Sequence, residues 1–313
     1  METPVLFLIF NRPETTRIVF SAIREARPAK LYIAADGPRA GKTGEKERCI
    51  EARSIINQID WPCEVKTLFR QENLGCKLAI SGAINWFFEK EEEGIILEDD
   101  CLPDGSFFKY CEEMLDLYRD DENIFMISGN NFYSESINSK WPTHGFVRIP
   151  HIWGWATWGR AWKRYSLEMD GLESYLKSEA FNKYWKKRVY RQFWSEMFNQ
   201  TVKGEIDTWD YSWAYTLFIN NGLSVAPRYN LVTNIGFGLG DRTLDKRDKR
   251  SRMAISPMSF PIIKSKSLVR DENADNYDMD HHCANLYALK KFLTKFKIFR
   301  LVKEGMVMFI KSK

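Results

Sequence analysis

Residues 94–104 read Gly-Ile-Ile-Leu-Glu-Asp-Asp-Cys-Leu-Pro-Asp, a short apolar run that ends in three consecutive carboxylates, Glu98, Asp99 and Asp100, ahead of a turn. Ile95–Leu97 has the composition of a buried strand. Like charges this close raise one another's pKa and destabilise the fold unless a cation or a set of donors meets them. A hard divalent ion, Mg²⁺ or Mn²⁺, that itself holds a diphosphate is the economical resolution. Carboxylates at a strand end supply few ligands and leave room for phosphate oxygens. A solvated turn, with Asp104 beginning the next helix, is the plainer reading. The buried strand favours the first, because it carries at least one of these charges toward the core.

The same rhythm extends upstream. Val5–Phe10 is a continuous apolar run, as in a parallel strand covered on both faces, and Asn11-Arg12-Pro13 places a proline where a helix starts. Leu31–Ala35 and Val65–Phe69 predict two more strands, the first ending in Asp36-Gly37-Pro38 and the second followed by Asn73-Leu74-Gly75. Apolar residues at helical spacing fill the intervals (Ile18, Val19, Ala22, Ile23; Leu78, Ala79, Ala83, Ile84, Phe87), and Phe107–Tyr118 continues the pattern before a strand at Ile124–Ser128. The β-α-β-α order predicts an α/β fold: a mostly parallel, Rossmann-like sheet with helices on both faces and ligands at the carboxyl ends of the strands. Asn11-Arg12, Asp36 and Glu98–Asp100 all fall at such ends. The second half is less regular, with a Trp-rich segment (153–162), charged helical stretches over about 171–203, a short helix after Asp210 stopped at Asn221-Gly222, and a strand near Leu223–Ala226.

Composition sets the outer limits. The chain has 313 residues, 44% apolar and 14% aromatic, enough for a large core and far from a disordered composition. No apolar run reaches the length of a spanning helix, and the first residues show neither a basic n-region nor a cleavage site. Six cysteines without CxxC pairs read as reduced thiols, which predicts a cytoplasmic protein. The net charge of +4 is segregated: residues 286–313 carry eight Lys/Arg against one Glu, leaving −3 on the rest. A nucleic-acid binder would spread basic side chains over its folded body, so nucleic acid is excluded as a partner.

Four segments together, Val-Leu-Phe-Leu-Ile-Phe-Asn-Arg-Pro (5–13), Ala-Ala-Asp-Gly-Pro-Arg (34–39), Asn-Leu-Gly-Cys-Lys (73–77) and Ile-Leu-Glu-Asp-Asp-Cys-Leu-Pro-Asp (96–104), resemble the nucleotide-sugar half of GT-A-fold glycosyltransferases. The bacterial family-2-like sugar transferases and N-acetylglucosaminyltransferase I are the forms they are similar to. The resemblance continues through 150–158, Trp-Asp-Tyr-Ser-Trp (209–213) and Asn-Ile-Gly-Phe-Gly (234–238), and so covers roughly residues 4–240. It implies one GT-A domain over 1–270, with a nucleotide-sugar half (1–130) and an acceptor half with a lid loop (131–270), followed by a tail at 271–313. The implied reaction moves a sugar, hexosyl in type, from a nucleoside diphosphate, UDP by preference, to a glycan hydroxyl with inversion, in bacterial surface-polysaccharide or glycoconjugate synthesis.

The resemblance also implies residue roles. Asp100 holds the metal, Glu98 and Asp99 touch sugar and ribose, and Asp36 reads the base, with Arg12 and Lys77 facing the nucleotide through charge-assisted bonds. The plainer readings are that Asp36 caps its own turn and that Arg12 or Lys77 is an exposed charge. Asp210 is the implied base for the acceptor hydroxyl, with Asp207 beside it as the other catalytic candidate. Against that, Asp207 as N-cap and Asp210 at the third helical position would serve the free N–H groups of their own helix. Most of Trp153, Trp155, Trp158 and Trp162 read as core, with one or two left to floor a sugar pocket. Gly236–Arg252, rich in cations from Arg242 to Arg252, reads either as a solvated loop or as a lid closing over the diphosphate. The bacterial relatives carry a Thr-His-Thr-like segment where Asp241-Arg242-Thr243 stands here, which leaves a late His ligand unsupported. His281-His282 make a poor metal pair, and His151 reads as structural.

Residues 286–313 put Leu286, Leu289, Phe292, Leu293, Phe296 and Phe299 on one helical face with lysines opposite. Such a basic amphipathic helix either packs on the domain or adheres to an anionic inner leaflet, where the acceptor would be a lipid-linked glycan. Two rivals remain. A sugar-1-phosphate nucleotidyltransferase would need a glycine-rich loop after the first strand, which Asn11-Arg12-Pro13-Glu14 does not supply. A non-catalytic glycan-binding or scaffold protein would leave the acidic triplet unexplained.

Overall fold

In the computed structural model, which describes residues 1–134, 141–238, 248–265, 267–284 and 287, each early strand feeds a helix. β1 (Val5–Ile9) precedes α1 (Pro13–Ala26), β2 (Lys30–Ala35) precedes α2 (Glu45–Arg53), β3 (Glu64–Phe69) precedes α3 (Gly75–Phe88), and β4 (Glu93–Glu98) runs through a short β5 (Cys101–Pro103) into α4 (Ser106–Leu117). There follow β6 (Ile124–Ser128), β7 (His144–Val147), β8 (Trp155–Trp158), α5 (Gly159–Trp162), α6 (Leu172–Lys177), α7 (Glu179–Tyr184), α8 (Arg188–Val202), α9 (Asp210–Ile219), β9 (Leu223–Pro227), β10 (Val232–Asn234) and α10 (Glu272–Asp278).

Among the described residues, eight strands form one sheet in the order β3-β2-β1-β4-β8-β6-β9-β7, and β5 pairs with β10 in a separate ribbon. β3, β2, β1 and β4 run parallel, with Val5 level with both Leu31 and Ile95. Strand order reverses at β1, so a crevice opens beyond the carboxyl ends of β1 and β4. This is the mostly parallel α/β sheet expected from the sequence.

The unbroken apolar runs have a direct cause. Val5, Phe7, Ile9, Leu31, Ile33, Ile95 and Leu97 face a core shared with α1 and α4 (Val19, Phe20, Phe107, Met114), whereas Leu6, Leu8, Tyr32 and Ile96 face another with α3 and α9 (Ile84, Phe87, Trp213). Both faces of the sheet are buried, so neither can be polar. The Trp-rich segment, assigned no strand from its sequence, forms β8 and inserts antiparallel between β4 and β6. Its short four-residue length and mixed small and indole side chains hide the period of two. Trp155 is fully buried, stacked on Trp209 at 5.5 Å and against Trp213 at 5.8 Å, while Trp158 and Trp162 are also core; Trp153 alone of the four is only half-buried.

Residues 271–284 pack on this body, so it extends past the 270/271 boundary expected from sequence. Asp275, fully buried, accepts from the N–H groups of Arg148 (2.9 Å) and Ile149 (3.1 Å) and pairs with Arg270, and Asp278 pairs with His151 at 2.5 Å. The expected amphipathic helix at 286–313 lies outside the described residues, apart from Tyr287. No helix of the described residues is long and apolar enough to cross a membrane. Replacing Trp155 with Ala should cost about 3–5 kcal/mol, because the indole cluster cannot close over the hole. Urea unfolding should show it as a lower midpoint with an unchanged slope.

Candidate active site

Three chain segments meet at the crevice. β1 ends at Phe10-Asn11-Arg12, with Pro13 opening α1 and Thr16 returning its N–H to the Arg12 carbonyl at 3.0 Å. β4 ends in Glu98-Asp99-Asp100. The β5–β10 ribbon brings Ile235 back so that its N–H donates to the Asp100 carbonyl at 2.8 Å, and Gly236 lies so close that a Cβ there would overlap the Asp100 carboxylate. That contact gives the glycine in Asn-Ile-Gly-Phe-Gly its physical purpose.

The acidic cluster is met by a side chain. Arg12 Nη1 donates to Asp100 Oδ2 at 2.7 Å and stands 3.6 Å from Asp99 Oδ1, while the Phe10 N–H donates to Asp99 Oδ2 at 3.0 Å. Burial opposes the charge on Arg12, yet Asp99, Asp100 and Glu98 outweigh it and raise its pKa. Burial, with repulsion from Asp100, pushes the Asp99 carboxyl up to about 7. Glu98 is driven well above its ordinary value by burial and then by Asp100, Asp99 and Asp210. Its carboxylate has no hydrogen-bond partner among the described residues.

A cavity of about 610 Å³ opens beside this cluster, lined in part by Arg12, Asp36, Arg70, Asn73, Glu98 and Asp99. Asp36 lines it, but its oxygens are committed: they accept from the N–H groups of Gly37 (3.0 Å), Leu74 (3.0 Å) and Gly75 (3.2 Å) and from Asn73 Nδ2 (2.8 Å). The turn-capping reading of Asp36 thus describes its contacts. Burial raises its pKa against those donors. On the other wall, fully buried Glu45 accepts from Arg39 Nη2 (2.6 Å) and Asn11 Nδ2 (2.8 Å), and Arg39 holds its carboxyl below the usual range. Sequence reasoning gave no role to Glu45, Arg39, Arg70 or Asn73: Arg39 and Asn73 lie in two of the segments quoted above, whereas Glu45 and Arg70 sit in polar stretches with no spacing to mark them. Arg70, just beyond β3, has no hydrogen bond or ion pair from its side chain among the described residues, and burial lowers its pKa.

Lys77 does not line this cavity. Its ammonium reaches Glu168 at 3.4 Å, and its backbone N–H donates to Asp207. Asp207 caps a helix, but not its own: its carboxylate accepts from the N–H groups of Cys76 (3.0 Å) and Lys77 (2.8 Å) at the start of α3, whose N-cap Leu74 has no polar side chain to offer. Asp210 is the first residue of α9 rather than the third. Its Oδ1 accepts from Thr208 and from the Tyr211 N–H (2.9 Å), whereas Oδ2 has no hydrogen-bond partner among the described residues. Burial raises the Asp210 pKa more than these donors lower it.

No protein-family model matches the chain, and no curated protein does. Solved structures that align with it include TarS (1–349) from S. aureus, 8% identical over 72% of this chain and 58% of that one with a TM-score of 0.38. Mouse xyloside xylosyltransferase 1 aligns at 11% identity over 71% and 82% (TM-score 0.33), and HddC from Yersinia pseudotuberculosis at 12% over 40% and 56% (TM-score 0.28). The chain spans a little over half the length of HddC and TarS. Likenesses this distant carry nothing about the chemistry.

The divalent ion expected at Asp100 does not fit this arrangement. Among the described residues no group of three or more His, Cys, Asp or Glu side chains is placed to hold a metal, and Oδ2 of Asp99 and Oδ2 of Asp100 already accept from the Phe10 N–H and from Arg12. His281 stacks on Tyr277 at 4.1 Å, and burial lowers His282 to about 4. Of the expected lid, residues 239–247 lie outside the described residues, and Arg250 is bound to Asp248 at 2.6 Å with its guanidinium over the Phe132 and Trp153 rings, 5.8 Å and 6.0 Å from their centroids.

Two outcomes follow. Asp207→Ala should destabilise the protein by about 1–2 kcal/mol through the uncapped start of α3, measured by urea unfolding. Because Glu98 and Asp99 bind protons more tightly folded than unfolded, their contribution to stability falls as pH rises from about 4 toward 7, by at most about 1.4 kcal/mol per pH unit for each group. Asp99→Asn should therefore gain on the parent protein between pH 5 and 7.5 in thermal melts.

Proposed function

We propose that the chain is a glycosyltransferase, moving a sugar from a nucleoside diphosphate to a glycan hydroxyl with inversion. One observation carries this reading: Asp210 presents a carboxylate oxygen without a hydrogen-bond partner among the described residues, held by α9 within electrostatic reach of Glu98, which lines the cavity at the β1/β4 switch point. The donor occupies that cavity, its nucleotide toward Asp36 and Arg70 and its sugar toward Glu98. As the acceptor oxygen bonds to the anomeric carbon, Asp210 Oδ2 takes its proton, and the bond from that carbon to the diphosphate breaks on the opposite face. A single base suffices, unlike the paired carboxylates of a hydrolase. Uridine as base, a glycan or lipid-linked glycan as acceptor, and a peripheral place on an anionic membrane through residues 286–313 belong to the same proposal.

The nucleotidyltransferase reading is disfavoured by the backbone. Only three residues, Phe10, Asn11 and Arg12, separate β1 from Pro13 at the start of α1, and none of them is a glycine that could wrap a triphosphate. Products separate the two, since glycosyl transfer releases a nucleoside diphosphate and nucleotidyl transfer releases pyrophosphate.

A thermal-shift screen of nucleotide sugars should show one donor class that raises the melting temperature. With that donor, Asp210→Asn should lower kcat about 10²–10⁴-fold while nucleotide affinity stays near the parent value. Activity should be lost as pH falls through the folded pKa of Asp210, which burial sets above that of an ordinary aspartate. An Asp210→Asn enzyme with full turnover would remove the assigned base.

A further inference from the structure

The resolution chosen for the acidic cluster has a consequence for donor binding. Arg12 and Asp100 are both fixed by backbone contacts. The Arg12 carbonyl accepts from the Thr16 N–H at 3.0 Å and the Thr16 hydroxyl at 2.8 Å, and the Asp100 carbonyl accepts from Ile235 while Gly236 closes over its carboxylate. Their ion pair at 2.7 Å is thus made between anchored residues rather than by a wandering surface chain. The side chain of Asp100 is 15% exposed and that of Asp99 8%, so withdrawing the guanidinium would leave two shielded carboxylates uncompensated. A divalent ion that uses Asp100 Oδ2 must first break this bond. Only Nη1 of Arg12 is committed; Nη2 and Nε have no hydrogen-bond partner among the described residues, and the residue lines the cavity. A guanidinium with free donors beside a cavity matches phosphate oxygens, which it binds through its planar fork.

We propose that Arg12, in place of a divalent ion, is the cation of the Glu98–Asp100 cluster, and that the donor's diphosphate is held on its free donors without a metal. The first half stands on the ion pair alone. The second rests on the nucleotide-sugar reading above.

Two measurements on the full chain test it. Manganese uptake is followed by electron paramagnetic resonance in the parent protein, Arg12→Gln and Arg12→Lys. Calorimetry follows uridine, guanosine, cytidine and deoxythymidine diphosphates with EDTA or with Mn²⁺. The expected results are no stoichiometric Mn²⁺ in the parent or in Arg12→Lys, and about one ion per chain in Arg12→Gln, where the carboxylates are released. One nucleotide should bind the parent in EDTA within threefold of its affinity in Mn²⁺, at least tenfold more weakly to Arg12→Gln in EDTA, and measurably more weakly to Arg12→Lys, which keeps the charge but loses the fork. Arg12→Lys preserves the neutralised cluster and decides the diphosphate half if Arg12→Gln does not fold. Stoichiometric Mn²⁺ in the parent that Asp100→Asn abolishes would overturn the first half. Nucleotide binding that requires Mn²⁺, or is equal in all three proteins, would overturn the second. Absence of binding by every nucleotide in both buffers would remove the nucleotide-pocket reading itself, a result the manganese count tells apart from failure of the cation assignment.

Discussion

The guanidinium of Arg12 joins the ends of two parallel strands that diverge at the switch point, and the architecture of the crevice depends on that charge. Three adjacent carboxylates at the end of a buried strand would otherwise repel each other in a region too shielded for water to screen them. Arg12 reaches two of them because Pro13 starts α1 immediately, turning the chain so that the residue before the helix faces β4. The β5–β10 ribbon then fixes the far side of the cluster through Ile235 and Gly236. A long loop after β1 would place no cation here, and the cluster would need one from solvent.

Several other buried or half-buried acidic residues organise the backbone around the crevice and beyond it. Asp36 gathers the loop after β2 and the start of α3, Glu45 ties Arg39 to Asn11, Asp207 caps α3 from 130 residues away, and Asp275 stitches the C-terminal segment to the two residues that follow β7. Each accepts two or more donors, which holds the surrounding backbone in place. What is left over is informative. Glu98, which lines the cavity, and one oxygen of Asp210 have no hydrogen-bond partner among the described residues, although burial raises the pKa of both, an arrangement that pre-organised polar sites share.

Elements whose periodicity is strong were legible in the sequence. Val5–Ile9, Leu31–Ala35 and Ile95–Leu97 are unbroken because each strand is buried on both faces, and Pro13 marks the start of α1 through its fixed φ and missing N–H. β8 was not legible, since Trp155 and Trp158 face opposite cores and both are apolar, which erases alternation. β5, β10 and β7 are three or four residues long, and their pairing partners lie far off in sequence.

The sequence by itself determined the α/β class, the parallel run of β1 to β4, and the gathering of Arg12, Asp36 and Glu98–Asp100 at strand ends, because burial on both faces and turn chemistry act over a few residues. Tertiary structure alone decided who pairs with whom. Whether Asp100 meets a metal or Arg12, whether Asp207 caps its own helix or α3, and whether Lys77 faces the cavity or Glu168 turn on distances of a few ångströms between segments up to 130 residues apart. Residue order carries no record of those distances, since they are set by how the sheet twists and the helices pack upon it.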